Sequence, residues 1–119
     1  MAAGKLDLLI EQGATFRHQL QVKQGSGASA PAANLTGYTA RMQIRPEVDS
    51  TTILISLTTE NSRITITPLT GLLDLFISAT DTAALSFDVA AYDVEIVSGG
   101  GEVTRLVQGK VKLSREVTR

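Results

Sequence analysis

A chain of 119 residues has the commonest size of a single domain, and with 43% hydrophobic and 19% charged residues it is apolar enough to bury one core and too apolar to stay disordered. One domain over residues 1–119 is therefore predicted. Eleven basic against twelve acidic side chains give a net charge of −1, so no field gathers nucleic acid, and no run approaches the roughly 20 apolar residues that cross a bilayer.

The start, Met1 to Asp7, has no apolar run followed by a cleavage site, so export by a signal peptide is not expected. With no cysteine, packing must supply the stability that disulfides or thiolate-bound metal would otherwise add.

Period-two alternation dominates the chain. Lys5 to Glu11 reads as a first strand that turns at Gln12-Gly13. In Thr15 to Gln24, the side chains of Phe16, His18, Leu20 and Val22 share one parity and Arg17, Gln19, Gln21 and Lys23 the other, the pattern of a half-buried strand. Gln24 to Asn34 is small and polar and reads as a mobile surface loop. Tyr38 to Arg45 is the cleanest strand, with Tyr38, Ala40, Met42 and Ile44 inward, stopped by Pro46 and followed by a turn over Glu47 to Ser50.

Thr51 to Thr58, rich in β-branched residues and with Ile53, Ile55 and Leu57 inward, is expected to form a hairpin with Arg63 to Thr67 across Glu60-Asn61-Ser62. After a turn at Pro68 to Gly71, the continuously apolar Leu72 to Ser78 suits the centre of a sheet. Thr80 to Leu85 breaks the alternation and predicts one short helical turn crossing between sheets, with Thr80 as its N-cap. Ala91 to Val97 and Val103 to Val107 flank Ser98 to Glu102, whose glycines fit a tight hairpin, and Gly109 marks a bulge or a close backbone approach. About 8–9 short strands separated by turn residues predict an all-β fold, a sandwich or a barrel.

Little in the chain equips it for catalysis. His18 is its one histidine, placed on an inward parity and expected to be a structural, hydrogen-bonded side chain rather than a base. Zinc lacks Cys and His ligands, and Asp7, Asp49, Asp74, Asp81, Asp88 and Asp93 are too scattered for a calcium loop. Gly99 to Gly101 is followed by a strand, not by the helix a phosphate cradle requires. Arg105, Lys110, Lys112, Arg115 and Arg119 gather toward the C-terminus, but with aromatics at 4% they read as a solvated strand face. Tyr92 is expected to be structural, a tyrosine corner tying its hydroxyl to nearby backbone. No enzyme activity, cofactor, metal or catalytic residue is therefore expected.

The stretch from Ile77 to Arg119 resembles small structural proteins encoded among bacteriophage tail genes. The resemblance is carried by Ala79 to Leu85, Tyr92 to Ile96, Gly101 to Val111 and Glu116 to Arg119, in that order. Gly13 to Phe16 and Leu35 to Arg45 are similar to the opening strands of those proteins and of baseplate upper-protein N-terminal domains.

What the resemblance implies is an immunoglobulin-like antiparallel β-sandwich in the virion tail or baseplate. Assembled in the host cytoplasm, it would be an adaptor that attaches fibres or other tail proteins and is a homo-oligomer in the particle. Neither nucleic acid nor membrane is an expected partner. The segments Lys5 to Ile10 and Leu113 to Arg119 are expected to lie outside the sandwich, free to add to a neighbour's sheet. Two alternatives stand beside this: a carbohydrate-binding sandwich module, poorly supplied with aromatics since Tyr38 and Tyr92 both point inward, and a head decoration or stopper protein of the same fold.

Overall fold

Alternation is converted into two facing layers. A computed structural model describes residues 4–24 and 30–118. Its strands are β1 (Gly4–Lys5), β2 (Leu8–Glu11), β3 (Phe16–Gln21), β4 (Thr39–Arg45), β5 (Ile55–Thr58), β6 (Ile64–Thr67), β7 (Leu72–Ile77), β8 (Val89–Val97) and β9 (Val103–Ser114). The inward side chains of β4 (Ala40, Met42, Ile44) and β8 (Ala90, Tyr92, Val94, Ile96) are buried and meet Leu73, Leu75 and Ile77 of β7 in one core.

The larger sheet has the order β1-β9-β8-β4-β5, with β2 also on β9, and the smaller one the order β3-β7-β6. A β3-β7-β6 sheet packed on a β9-β8-β4-β5 sheet is the strand order of an immunoglobulin-like sandwich. Pairing is antiparallel throughout except where β1 and β2 run parallel to β9. As anticipated for a continuously apolar strand, β7 lies centrally between β3 and β6.

The expected hairpin over residues 51–67 does not form, because β5 pairs with β4 while β6 pairs with β7 in the other sheet. Asn61 makes the corner between the layers: its Oδ1 accepts from the Thr58 and Arg63 amides at 2.9 and 3.0 Å, and its Nδ2 donates to the Ser56 carbonyl at 3.0 Å. Ser62 then takes a left-handed φ of 66°. The inward parity predicted for Ile53 also fails. The Leu54 amide bonds the Ile44 carbonyl at 2.7 Å, β5 starts only at Ile55, and Ile53 is left exposed while Leu57 is fully buried.

The helical turn is α1 (Ala79–Ala83), and it carries the chain from the smaller to the larger sheet. Its N-cap is Ser78 rather than Thr80: Ser78 is extended (φ −66°, ψ 157°) and its hydroxyl accepts from the Asp81 amide at 3.1 Å. Removing that acceptor should destabilise the chain by about 1 kcal/mol, as thermal unfolding of Ser78→Ala would report, with Thr80→Ala close to wild type.

The two ends of segment 24–34 are held by backbone hydrogen bonds. The Gln24 amide bonds the Pro31 carbonyl and the Ala33 amide the Val22 carbonyl, at 2.8 and 2.9 Å, and Ala33 is part of the core. The tip over residues 25–29, on which the expectation of mobility falls, lies outside the described residues.

Candidate functional site

With the inner faces spent on the core, the outer face of the larger sheet is left as a surface for function. Strand register sets its composition row by row. Arg41 on β4, Glu95 on β8 and Arg105 on β9 form one row, Gln43, Asp93 and Gln108 the next, and Arg45, Ala91 and Lys110 the third. Carboxylates on the central strand are thus flanked by cations or amides on both sides. Arg105 joins this face through a bulge: Val94 pairs with Val107 but Glu95 with Arg105, leaving Leu106 as the extra residue. The bulge predicted near Gly109 therefore falls at Leu106, while the predicted close approach does occur at Gly109.

Ala91, the smallest side chain in the third row, floors a concavity of about 720 Å³. Lys5 and Asp7 line it from the N-terminal segment and Val48 from the loop after β4. Arg41 Nε pairs with Glu95 Oε1 at 2.8 Å and Arg105 Nε with Asp93 Oδ2 at 3.4 Å. Arg45 has no carboxylate partner among the described residues; its guanidinium donates to Gln43 Oε1 at 2.7 Å and to the Ser50 carbonyl at 2.7 Å.

Burial, and after it the Glu95 charge, pushes the Asp93 carboxyl above its usual range against the pull of Arg105, Arg41 and Arg45. A raised folded value means that the associated stability is complete below the unfolded pKa of 3.8 and is lost as pH rises through the folded value. Asp93→Asn should therefore unfold no earlier than wild type at neutral pH, and chemical denaturation at pH 7 checks this.

Tyr92 supports the concavity from beneath. Its ring is buried opposite Gly109, and its hydroxyl donates to the Leu6 carbonyl at 2.6 Å. The side chain thus reaches past β9 to hold the break between β1 and β2, so the hydroxyl is tied to backbone as expected of a structural tyrosine, but to Leu6, 86 positions away in sequence, rather than to nearby chain. Burial, with a contribution from the Asp7 charge, pushes the hydroxyl up from 10.0 to about 12. Stability from this group is intact below pH 10 and lost as pH rises through 12, by about 2–3 kcal/mol in all. Tyr92→Phe should lose roughly 1 kcal/mol at pH 7 and show a smaller alkaline drop than wild type, measured by denaturation across that range.

The other sequence candidates do not converge on this face. His18 lies half-buried on the edge strand β3 opposite Leu75. Asp74 accepts from Gln19 Nε2 at 3.0 Å, Asp81 pairs with Arg63 at 2.8 Å and Asp88 with Arg115 at 3.1 Å. The Arg63 guanidinium holds the Asp81 carboxyl below its usual range. No group of three potential metal ligands occurs among the described residues. Gly99 to Gly101 close the β8–β9 turn, with the Ser98 amide on the Glu102 carbonyl at 2.9 Å and Gly101 at φ 91°. Of the basic cluster, Arg105, Lys110 and Lys112 share the outer face of β9, Arg115 is turned to Asp88 and the Ser86 carbonyl, and Arg119 lies outside the described residues.

Much of the two segments expected to lie outside the sandwich is built in, although Val117 is exposed and Arg119 lies outside the described residues. Lys5 to Ile10 belongs to β1 and β2 on β9, and Leu113 is buried at the end of β9. Beyond it the Glu116 amide bonds Gln12 Oε1 at 3.0 Å. Buried Ile10 and Leu113 account for this, since detaching either segment would expose them. Sequence reasoning missed Gln43, Ala91 and Lys5 as neighbours of Asp93, because only register joins them.

The strand order and the open sheet face together define an immunoglobulin-like β-sandwich whose larger sheet presents a charged concave surface. No protein-family model and no curated protein sequence matches the chain. Among solved structures it is similar to "Drosophila OTK, extracellular domains 3-5", with 11% identity and a TM-score of 0.36 over 97% of this chain. The chain spans 33% of the length of that structure.

Proposed function

We propose that the chain is a non-enzymatic docking module of a bacteriophage particle, a tail or baseplate adaptor that joins fibres or other tail proteins through protein–protein contacts. The observation that carries the docking part is the outer face of β4, β8 and β9. There, polar and charged side chains lie in register around a concavity while the core-forming side chains point the other way. A rigid sheet that displays fixed side chains suits recognition by shape and charge. The tail assignment is supported by the order of the resembling segments, from Ala79-Thr80-Asp81 through Tyr92-Asp93-Val94-Glu95-Ile96 to Glu116-Val117-Thr118-Arg119. Repetition of the module around the tail would make weak contacts cooperative, which is why a homo-oligomer in the particle belongs to the same proposal.

The test is fractionation of purified particles into heads and tails, with the chain quantified in each by mass spectrometry. Enrichment in the tail fraction is expected. Recovery with heads would favour a decoration or stopper role, and absence from both fractions would refute the proposal.

A further inference from the structure

Three cations line the concavity without a directly paired carboxylate among the described residues. Lys5, Arg45 and Lys110 make no ion pair among the described residues, whereas both carboxylates of the same wall are engaged, Asp93 by Arg105 and Asp7 by the Lys110 backbone amide at 3.0 Å. Four cations against two carboxylates leave the wall with two excess positive charges in a chain whose net charge is −1. Local charge is thus opposite in sign to that of the whole molecule. Deepening the reading of the chain as a docking module, and resting on it, we propose that this concavity seats an extended, acidic segment of a partner protein.

Its dimensions suit such an occupant. The concavity crosses the four neighbouring strands β1, β9, β8 and β4, three spacings of about 4.8 Å each, which an extended segment of roughly four residues spans. Val48 and Ala91 in the same wall offer apolar contact between the charges, so alternating acidic and apolar side chains fit it best. Nucleic acid fits less well, because no aromatic ring is displayed for bases to stack on; the Tyr92 ring is buried. A single small anion fits less well too, because Arg45 and Lys110 stand two strands apart on either side of Ala91 and Lys5 lies on β1 in the neighbouring row.

Fluorescence anisotropy with a short fluorescein-labelled peptide alternating glutamate and valine tests the site, beside the glutamine–valine peptide and labelled oligothymidylate. The glutamate peptide should bind about tenfold or more tightly than the glutamine peptide at low salt, and that advantage should shrink as salt screens the charges. Lys110→Glu and Lys5→Glu should each weaken binding several-fold, and Asp93→Asn should tighten it. The opposite sign of the Asp93 effect separates charge recognition from damage to the fold. Equal binding of the two peptides, no effect of Lys110→Glu, or tighter binding of oligothymidylate would overturn the site.

Particles supply the distinguishing arm. Reduced incorporation of the Lys110→Glu chain supports the site. Incorporation equal to wild type overturns it and leaves the docking role intact, whereas absence of the wild-type chain from particles overturns both.

Discussion

Gly109→Ala is expected to destabilise the chain by about 2–4 kcal/mol and to release the N-terminal strands β1 and β2 from β9. Gly109 is not among the glycines with positive φ, so alanine meets no conformational penalty there and, in open space, would gain roughly 0.5–1 kcal/mol. Space decides the outcome instead. A β-carbon at this position runs into the backbone carbonyl oxygen of Leu6, and its carbonyl carbon is 2.8 Å away, so the obstacle is main chain rather than a flexible side-chain tip. That same oxygen accepts the Tyr92 hydroxyl at 2.6 Å, and the Leu6 amide holds the Gln108 carbonyl at 3.0 Å, so moving Leu6 breaks bonds on both sides. Amide exchange should show protection lost over Leu8 to Glu11 well before the β4–β8 ladder. Wild-type stability with full protection there would mean that the close packing of Leu6 on Gly109 is not a constraint.

Thr82→Val is the second large effect, about 2–3 kcal/mol, from a substitution that hardly changes volume. Thr82 is the one buried polar residue in the core of the described chain and is fully inaccessible. Its hydroxyl accepts from the Gly13 amide at 3.0 Å and donates its one proton to the Ala14 carbonyl at 2.8 Å, with the Ala79 carbonyl 3.1 Å away. Valine fills the same space and strands the Gly13 amide and the Ala14 carbonyl, so the turn from β2 into β3 loses its attachment to α1. Chemical denaturation should place Thr82→Ser, which keeps the hydroxyl, between valine and wild type. A valine variant as stable as wild type would show that the turn is held by other means.

Local alternation decides how much of the fold is legible in the residues. In β4, polar and apolar side chains alternate from Thr39 to Arg45, and in the β8–β9 hairpin the same pattern flanks a glycine turn; both stand as expected. Features that depend on partners far away in sequence are not legible. Thr51 to Thr67 has the composition of a hairpin, yet the burial of Leu57 beside Met42 and the bonds made by Asn61 send its two halves to different sheets. Thr80 suits a cap by residue type, but the helix already begins at Ala79, so the cap falls to Ser78, extended at the end of β7 and a somewhat better cap by residue type.

The concavity is hidden from the sequence for a related reason. Gln43, Asp93 and Gln108 become neighbours only through register across three strands, and Arg105 joins them only because Leu106 bulges. By composition the basic residues of β9 make a solvated face, and their placement beside Asp93, Arg45 and Lys5 is what turns that face into a candidate docking surface.

A side-chain-resolution image of the intact particle tests the docking account most directly. The account predicts copies of this sandwich repeated around the tail, each with β4, β8 and β9 covered by a neighbouring protein and a carboxylate of that neighbour beside Lys110. Copies standing with that sheet face open to solvent, or a tail without the sandwich, would contradict it.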